Sequence, residues 1–225
     1  MTGTPTSPGA TRKDLLRTYV RNEAAVFCKT KEAFGGLSNM ASGYPLHING
    51  VRILTSEALY QACRFPHRPE VQQEIIGQRS PMTAKMASRS HNEDSRPDWG
   101  DVRIPIMRWC LRVKLAQNTE AFGRLLLTTG DRPIVEQSYK DDYWGAKPNG
   151  DTLIGQNILG RLLMEVRENL KNDERGTLKT VFPPRIPDFL LFGKPIEPIT
   201  IRSGERDPSS QPDMFVCPDP GPSRP

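Results

Sequence analysis

Residues 157–171 read NILGRLLMEVRENLK and carry the clearest apolar period in the chain. Five apolar residues recur at offsets of 0, 3, 4, 7 and 11, namely Leu159, Leu162, Leu163, Val166 and Leu170. This spacing places all five on one face and predicts an amphipathic α-helix that packs on a core. Asn157 stands at the N-cap position. We therefore expect the helix to begin there and its N-terminus to receive an anionic group.

Helix start signals recur upstream of this stretch. Thr55 and Ser56 precede EALYQACRF as N-cap residues, and Pro69 opens PEVQQEIIGQ in the manner of a first helical turn. Ser80 and Pro81 repeat the same signal before MTAKMASRS. Each of these three stretches is predicted to be a helix. Further helices are predicted over residues 11–25, 104–118 and 118–130.

Strand signals are few and short. The segment AVFCK (residues 25–29) has the composition of a strand, and Asn49-Gly50 lies between two short apolar segments. An Asn-Gly pair favours a tight hairpin because both turn positions need positive φ. The predicted fold class is therefore mainly α (α+β), a compact multihelical domain with a small antiparallel β-sheet or hairpin.

Proline divides the chain into parts of different character. Of 21 prolines, eleven lie at or beyond residue 183, in a region that prolines prevent from forming helix or central strand. Phe182, Phe189 and Phe192 in that region favour an extended arm packed on the domain over a disordered linker. The expected organisation is a disordered lead (1–10), a catalytic domain (11–171), a Pro-rich packed arm (172–202) and a disordered tail (203–225).

The composition excludes some functional classes. The net charge of +5 suits a partner that carries phosphates, although it also suits ordinary solubility. The four cysteines (28, 63, 110 and 217) form no C-x-x-C pair, so we expect neither a disulfide framework nor a zinc site. The N-terminus lacks the basic and apolar regions of a signal peptide, and no apolar run reaches membrane length. We expect a soluble cytoplasmic protein with no membrane partner.

Two predicted helices carry candidate chemical groups. Glu57 and Gln61 lie four residues apart on one helical face and suit recognition of a sugar or base, although Glu57 equally suits the helix dipole. Lys85 has Met82 and Met86 as neighbours on its helix. An apolar environment would lower the pKa of its amine and make it nucleophilic, whereas a solvated lysine would have no such role.

The stretch SYKDDYWGAKPNG (residues 138–150) is the third candidate. Gly145 and Gly150 have phosphate-loop spacing, but Asp151-Thr152 stands where a phosphate loop has Lys-Ser/Thr, so that motif is excluded. Asp141 or Asp142 suits an acid, a base or an acceptor for ribose hydroxyls. Trp144 suits stacking on a base, or anchoring of the loop in the core.

The order of seven motifs resembles the NADAR (YbiA-like) family, from about Val26 to Leu170. They are GGLSNM, TSEALYQACRF, SPMTAKM, IMRWCLRVKLAQN, LLLTTG, DDYWG and GQNILGRLLMEVRENL. The resemblance implies cleavage of an N-glycosidic bond between a ribose and a nitrogenous base. One branch hydrolyses a ribosylamino-pyrimidine phosphate of the riboflavin pathway. Another removes ADP-ribose from guanine in DNA, often beside a DNA-ADP-ribosylating toxin, and the motif wording here is closer to this second branch.

The resemblance also implies roles for individual residues. Lys85 would attack the anomeric carbon or trap the opened sugar as a Schiff base, Glu57 would transfer a proton, and Asp142 would orient ribose hydroxyls. The expected substrate contacts are Phe34, Asn39, Gln61, Trp144, Gly145 and Asn157. Phe34 and Trp144 would stack on a ring, and Asn39 would bind a ribose or phosphate oxygen. No metal or cofactor is required.

The sequence departs from the family at two positions and leaves alternatives open. Ala58 and Arg64 stand where many members have His and Lys. Expected partners are ADP-ribosylated DNA or an ADP-ribose-like nucleotide, with a cognate toxin as a functional partner. The alternatives are hydrolysis of the pyrimidine ribotide and a non-catalytic module that binds ADP-ribose.

Overall fold

A computed structural model describes residues 15–173 and 176–201. The helices in these ranges are α1 (Ser56–Ala62), α2 (Pro69–Ile76), α3 (Pro81–Ser90), α4 (Trp99–Gln117), α5 (Arg124–Leu127) and α6 (Ile158–Lys171). The strands are β1 (Arg17–Val20), β2 (Ala25–Phe27), β3 (Leu46–Ile48), β4 (Val51–Ile53), β5 (Ile134–Glu136), β6 (Lys147–Asn149), β7 (Thr152–Gly155), β8 (Thr180–Val181), β9 (Leu190–Leu191), β10 (Lys194–Pro195) and β11 (Ile199–Thr200). The predicted α+β class is confirmed.

The core forms around α4, which packs against α1 on one side and α6 on the other. Its apolar face, with Ile106, Cys110 and Val113, is fully buried. The predicted start at residue 104 was five residues late, because α4 begins at Trp99 and carries Pro105 inside its early turns. Helices α2 and α3 pack on α1, so the three short helices form a layer beside the long ones.

The sheets are small, with two or three strands each among the described residues. Strands β1, β7 and β6 form an antiparallel sheet, whereas β2 and β5 pair in parallel. The predicted hairpin is confirmed, because β3 and β4 pair antiparallel around Asn49 (φ 50°) and Gly50 (φ 77°). No helix in the described ranges is both long and apolar enough to cross a membrane.

The helix predicted over residues 11–25 is wrong where the structure describes it. Residues 17–20 form β1, in which Tyr19 pairs with Leu153 of β7 and is the buried residue of the strand. The alternation of one buried residue with exposed neighbours is the period of a strand, and pairing with a distant strand overrides local helix propensity. Residues 118–130 also differ, since a π-turn (Thr119–Gly123) precedes the short α5. The expected disordered segments 1–10 and 203–225 lie outside the described residues.

Asn157 stands at the N-cap position of α6, as predicted, but its side chain does not cap the helix. It adopts a left-handed conformation (φ 50°), its side chain is fully buried, and it makes no capping hydrogen bond. Its Nδ2 donates to the carbonyl of Ile134 (2.8 Å), and its Oδ1 accepts from the backbone N–H of Glu136 (3.2 Å). The first N–H groups of α6 donate to the carbonyls of Tyr143 and Trp144, so no anion site exists at this helix N-terminus.

The segment after α6 crosses the outside of the helical core. Phe189 packs edge-on against Trp109 of α4, with 4.9 Å between ring centroids. Gln72 of α2 is fully buried and makes two hydrogen bonds to the backbone of this segment. It accepts from the N–H of Phe192 and donates to the carbonyl of Leu190. Residues 186–197 therefore form an arm with specific contacts to α2 and α4.

We expect Asn157→Gly to lower the free energy of unfolding by about 2–4 kcal/mol, because it leaves two buried backbone groups of β5 without partners. Glycine retains the positive φ, so backbone strain does not contribute. Asn49→Gly is the matched control: Asn49 has the same φ of 50° but lies in the exposed hairpin. Urea unfolding of both variants measures the difference. Equal losses in the free energy of unfolding would show that the buried amide of Asn157 stabilises the fold no more than the exposed amide of Asn49.

Candidate active site

A cavity of about 460 Å³ opens between α1, α3, α4 and the loop that follows β5. Its size is within the range of small-ligand sites, about 300–1,000 Å³. Each of these elements contributes charged side chains to the wall. The charged lining residues are Glu57, Arg64, Lys85, Arg89, Arg103, Glu136, Lys140 and Asp141. Five cations and three carboxylates in one cavity suit an anionic ligand whose reacting centre needs acids or bases.

The structure brings five of the nine predicted site residues together at this cavity: Glu57, Lys85, Asn39, Gln61 and Trp144. The other four, Asp142, Phe34, Gly145 and Asn157, do not line it. Two of these four have structural positions, because Gly145 lets its loop lie against the backbone of Glu136 and Asn157 joins α6 to β5.

Glu57 is held rigidly at the cavity floor by two side-chain amides. Its Oε2 accepts from Asn39 Nδ2 (3.1 Å), and its Oε1 accepts from Gln61 Nε2 (2.8 Å). Gln61 is oriented in turn by Ser88 of α3, whose hydroxyl donates to Gln61 Oε1 (2.6 Å). Both oxygens of Glu57 act as acceptors, so the side chain is held in one orientation in a nearly buried position (5% exposed).

Asn39 has one side-chain acceptor that makes no hydrogen bond in the described residues. Because its Nδ2 donates to a carboxylate, which only accepts, the amide orientation is fixed and Oδ1 points away from Glu57. Asn39 Oδ1 is buried and makes no hydrogen bond in the described structure. A buried acceptor without a partner favours a ligand hydroxyl or N–H, and it repels a phosphate oxygen. The expected contact of Asn39 with a ribose or phosphate oxygen stays a prediction, and an unpartnered acceptor is compatible with a donor such as a ribose hydroxyl.

Lys114 supports the loop that carries Asn39. Its fully buried ammonium group donates to the carbonyls of Gly36 (2.7 Å) and Ser38 (3.1 Å). The rings of Tyr44 and Phe122 each lie 4.4 Å from Nζ. Burial lowers the pKa of Lys114 to about 7. Sequence analysis missed this residue, although it lies four positions after Cys110 on the predicted buried face of α4, which is an unusual place for a lysine.

Glu136 is the second group that sequence analysis missed. It ends β5 and lines the cavity. Burial raises the pKa of its carboxyl group to about 7, and the negative charges of Glu57 and Asp141 add to this effect while Lys85 opposes it. A carboxyl group that holds its proton near neutral pH is suited to general-acid catalysis. The sequence signal that could have identified Glu136 was its position as a carboxylate at the end of a short apolar strand.

The structure distinguishes the two adjacent aspartates. Asp141 lines the cavity, and its Oδ1 accepts from the backbone N–H groups of Tyr143 (2.8 Å) and Trp144 (3.0 Å). Asp142 lies away from the cavity and pairs with Lys147 (3.6 Å). The position expected for Asp142 therefore belongs to Asp141, which also shapes the turn that presents Trp144.

The aromatic residues divide between cavity wall and core. Trp144 is partly buried, packs edge-on against Tyr60 (5.7 Å between centroids) and lines the cavity, so it is both an anchor and a wall. Phe34 packs on the core with the guanidinium of Arg132 5.2 Å from its ring centroid, and this places it outside the cavity lining. The pair of stacking rings expected from the sequence is not formed.

Two lining arginines are oriented by aromatic rings. The guanidinium of Arg64 lies 5.6 Å from the ring centroid of Trp99, and its Nε donates to Ser95 Oγ (2.7 Å). That of Arg103 lies 4.1 Å from the centroid of Tyr143, and its Nε is buried without a hydrogen-bond partner. Stacked, oriented guanidinium groups suit phosphate recognition.

Lys85 reaches the cavity from α3, but its surroundings differ from the expectation. Met82 and Met86 are 58% and 59% exposed, so they do not form the apolar enclosure predicted around the amine.

No group of three or more His, Cys, Asp and Glu side chains in the described part of the chain is arranged to hold a metal ion. The carboxyl and amine groups that line the cavity support acid, base and amine chemistry.

Known proteins share this domain. The N-glycosidase YbiA of Shigella boydii is 38% identical over 144 residues, which cover 64% of this chain and 86% of that protein. The riboflavin biosynthesis protein VVA0006 of Vibrio vulnificus is 34% identical over 158 residues, and these span 69% of this chain but only 41% of that longer protein. The NMR structure of the E. coli protein YbiA superposes with a TM-score of 0.58 at 36% identity, covering 66% of this chain and 84% of that one.

The family comparison agrees with the motif order in the sequence. The NADAR domain matches residues 26–171, a range that contains α1 to α6 and every charged residue of the cavity wall. The chain belongs to the NADAR family.

Proposed function

We propose that this chain is an N-glycosidase that releases ADP-ribose from guanine bases of DNA. The observation that carries the proposal is the meeting of Lys85, Glu57 and Glu136 in one cavity whose remaining charged groups are mostly cations. An amine and two carboxyl groups, of which Glu136 has a raised pKa, suit glycosidic cleavage through an oxocarbenium-like state. The names of the N-glycosidase relatives support the bond type.

The proposed reaction divides the proton and charge roles between the two glutamates. Lys85 Nζ attacks C1′ of the ribose as the bond from C1′ to the guanine nitrogen breaks. Glu136 donates its proton to the departing nitrogen, and Glu57, held by two amides, stabilises the positive charge that develops on the sugar. As the ribose ring opens, one proton of Nζ passes to O4′, which gives a protonated imine between C1′ and Nζ. Addition of water to C1′ then returns the free amine and ADP-ribose, and the remaining proton returns to Glu136.

Two features favour a polymeric, polyanionic substrate. Arg64, Arg89 and Arg103 line the cavity and suit the diphosphate of ADP-ribose. Tyr139, between the lining residues Ser138 and Lys140, is 70% exposed, and the exposed Met82 and Met86 flank Lys85. Exposed apolar groups beside a basic cavity suit contact with the bases of a nucleic acid strand.

The second candidate substrate is a ribosylamino-pyrimidine phosphate. The observation that favours it is the name of two relatives, the riboflavin biosynthesis proteins of Vibrio vulnificus and Zea mays. Such a substrate carries one phosphate, so it would use fewer of the cavity arginines. A third candidate is a module that binds ADP-ribose without cleaving it, for which the acid group at Glu136 has no purpose.

The substrate is tested by offering guanine-ADP-ribosylated DNA and the pyrimidine ribotide to the same preparation. We expect release of ADP-ribose from DNA at a kcat/KM at least about 100-fold above that for the ribotide, because only the larger substrate fills the basic wall. Chromatography of the products measures both reactions. Preference for the ribotide would assign the chain to the alternative reaction, and binding without cleavage of either would leave the reader module.

The role of Lys85 is tested by borohydride trapping during turnover. We expect wild-type protein to form a covalent sugar adduct on the peptide that contains residues 81–90, because reduction fixes the imine. Lys85→Ala should form no adduct and should still bind ADP-ribose. Lys140→Ala, which removes another cation from the same cavity, is the control and should retain the adduct. Mass spectrometry locates the modification, and an adduct elsewhere would exclude Lys85 as the nucleophile.

The proton role of Glu136 predicts a pH dependence. Wild-type kcat should fall as the pH rises above about 7, because the acid form is lost, and Glu136→Gln should lower kcat by about 10²–10⁴-fold. Asp142→Asn, a carboxylate outside the cavity lining, serves as the control and should keep the wild-type profile.

The raised pKa of Glu136 can be tested without any substrate. Because the folded state holds this proton between pH 4.5 and about 7 and the unfolded state does not, stability should decrease as the pH rises through that window. Relative to wild type, Glu136→Gln should therefore gain up to about 3 kcal/mol between pH 4.5 and 8. Urea unfolding at both pH values measures the gain, and parallel pH curves would contradict the assigned pKa.

A further inference from the structure

The arm of residues 186–197 lies beyond residue 171, where the match to the family domain ends. It nevertheless makes buried polar contacts with the domain. Gln72 binds the arm at Leu190 and Phe192 and also donates to the carbonyl of Ala62 (3.1 Å), the last residue of α1. The helix that carries Glu57 is therefore connected to the arm through one buried side chain.

A second connection leads from the arm to the cavity wall through Arg96. This side chain is 4% exposed and donates Nη2 to the carbonyl of Pro187 in the arm (2.8 Å). Its Nε and Nη2 also donate to Asp98 (2.6 and 3.0 Å). Its Nη1 is buried without a partner. A buried guanidinium with so few acceptors depends on each of them, so the Pro187 carbonyl is a necessary partner.

The backbone of Arg96 joins the two lining residues of that wall. Its N–H donates to the carbonyl of Arg64 (3.0 Å), and its carbonyl accepts from the N–H of Trp99 (3.1 Å). The side chain of Arg64 stacks on Trp99, and Trp99 packs against Tyr60 with 5.1 Å between centroids. Arg64, Trp99 and Tyr60 all line the cavity. A shift of Arg96 would therefore move this side of the cavity directly.

We propose that the arm is a working part of the active site: the carbonyl of Pro187 positions Arg96, and Arg96 positions the wall formed by Arg64 and Trp99. Arg96 does not line the cavity itself, so it acts as a positioning residue. The wall it controls carries an oriented cation and a ring, which bind substrate, whereas Lys85 and Glu136 lie on other elements. The arm therefore sets substrate affinity more than the rate of bond cleavage. The kinetic part rests on the proposed function, but the structural part does not.

The structural part is tested by ¹⁹F NMR of protein labelled with 5-fluorotryptophan. The chain has three tryptophans: Trp99 reports on the Arg96 wall, Trp109 on the arm, and Trp144 on the loop after β5, which meets the same Tyr60 ring as Trp99. Single Trp→Phe variants assign the three resonances. Arg96→Met cuts the connection at the wall, and Phe189→Ala loosens the arm from α4. Asn49→Gly is the control, because it removes two arm hydrogen bonds, to Pro195 and Glu197, far along the arm from Pro187.

We expect Arg96→Met to shift or broaden the Trp99 resonance more than the Trp144 resonance, because Trp144 is connected to Trp99 through Tyr60. Phe189→Ala should alter both Trp109 and Trp99, and Asn49→Gly should leave Trp99 unchanged. If Arg96→Met does not fold, Arg96→Lys, which keeps the charge beside Asp98 but not the forked contact, replaces it. An unchanged Trp99 resonance in a folded Arg96 variant would overturn the proposal.

The kinetic part uses the same variants with the better of the two glycosidic substrates. We expect Arg96→Met to raise KM by about tenfold while kcat stays within about twofold of wild type, because the lost contacts serve binding. Asn49→Gly should keep both parameters. A fall in kcat alone would contradict a positioning role in binding. If the wild-type protein cleaves neither substrate, the proposed function fails, and the Trp99 resonance still decides whether the arm controls the wall.

Discussion

The buried amide of Asn157 is the contact on which the rest of the site depends. It satisfies one carbonyl and one N–H of β5 at the same time, which neither a carboxylate nor an apolar side chain of similar size can do. Because β5 ends in Glu136 and leads into the loop with Trp144, the packing of α6 determines where both groups stand. The packing of the apolar face of α6 therefore also fixes the position of Glu136 in the cavity.

Buried charge is the second organising feature. Glu57 and Lys114 are both nearly or fully buried, and the partners that the structure gives them are amide dipoles and backbone carbonyls instead of opposite charges. Both contact the loop of residues 36–39. Lys114 donates to the carbonyls of Gly36 and Ser38, and Glu57 accepts from the side chain of Asn39. Desolvation of such groups costs stability, and they occur most often where a site needs fixed charges. The loop is therefore held by hydrogen bonds to two buried ionisable side chains.

Local signals in the sequence were sufficient for α1, α2, α3 and α6, whose caps, prolines and apolar periods are visible within one segment. They failed for β1, because its partner strand lies far along the chain and short-range propensity favours helix there. Glu57, Lys85 and Trp144 were found from motif order. Glu136 was missed because its burial comes from α6 and the following loop, which no local pattern reveals. Asp141 and Asp142 are adjacent identical residues, so the sequence does not show which of them accepts hydrogen bonds from the backbone. In the structure, Asp141 accepts from the N–H groups of Tyr143 and Trp144.

The unpartnered oxygen of Asn39 has a consequence for selectivity between sugars. In ADP-ribosylated DNA, two glycosidic bonds meet at the same guanine: one leads to the ribose of the modification and the other to the deoxyribose of the strand. A buried acceptor that waits for a hydroxyl rejects an analogue without it by about 10⁴–10⁵-fold in sites of this kind. Under the proposed function, Asn39 Oδ1 would therefore favour the ribose of the modification over the deoxyribose of the strand, which lacks the 2′-hydroxyl.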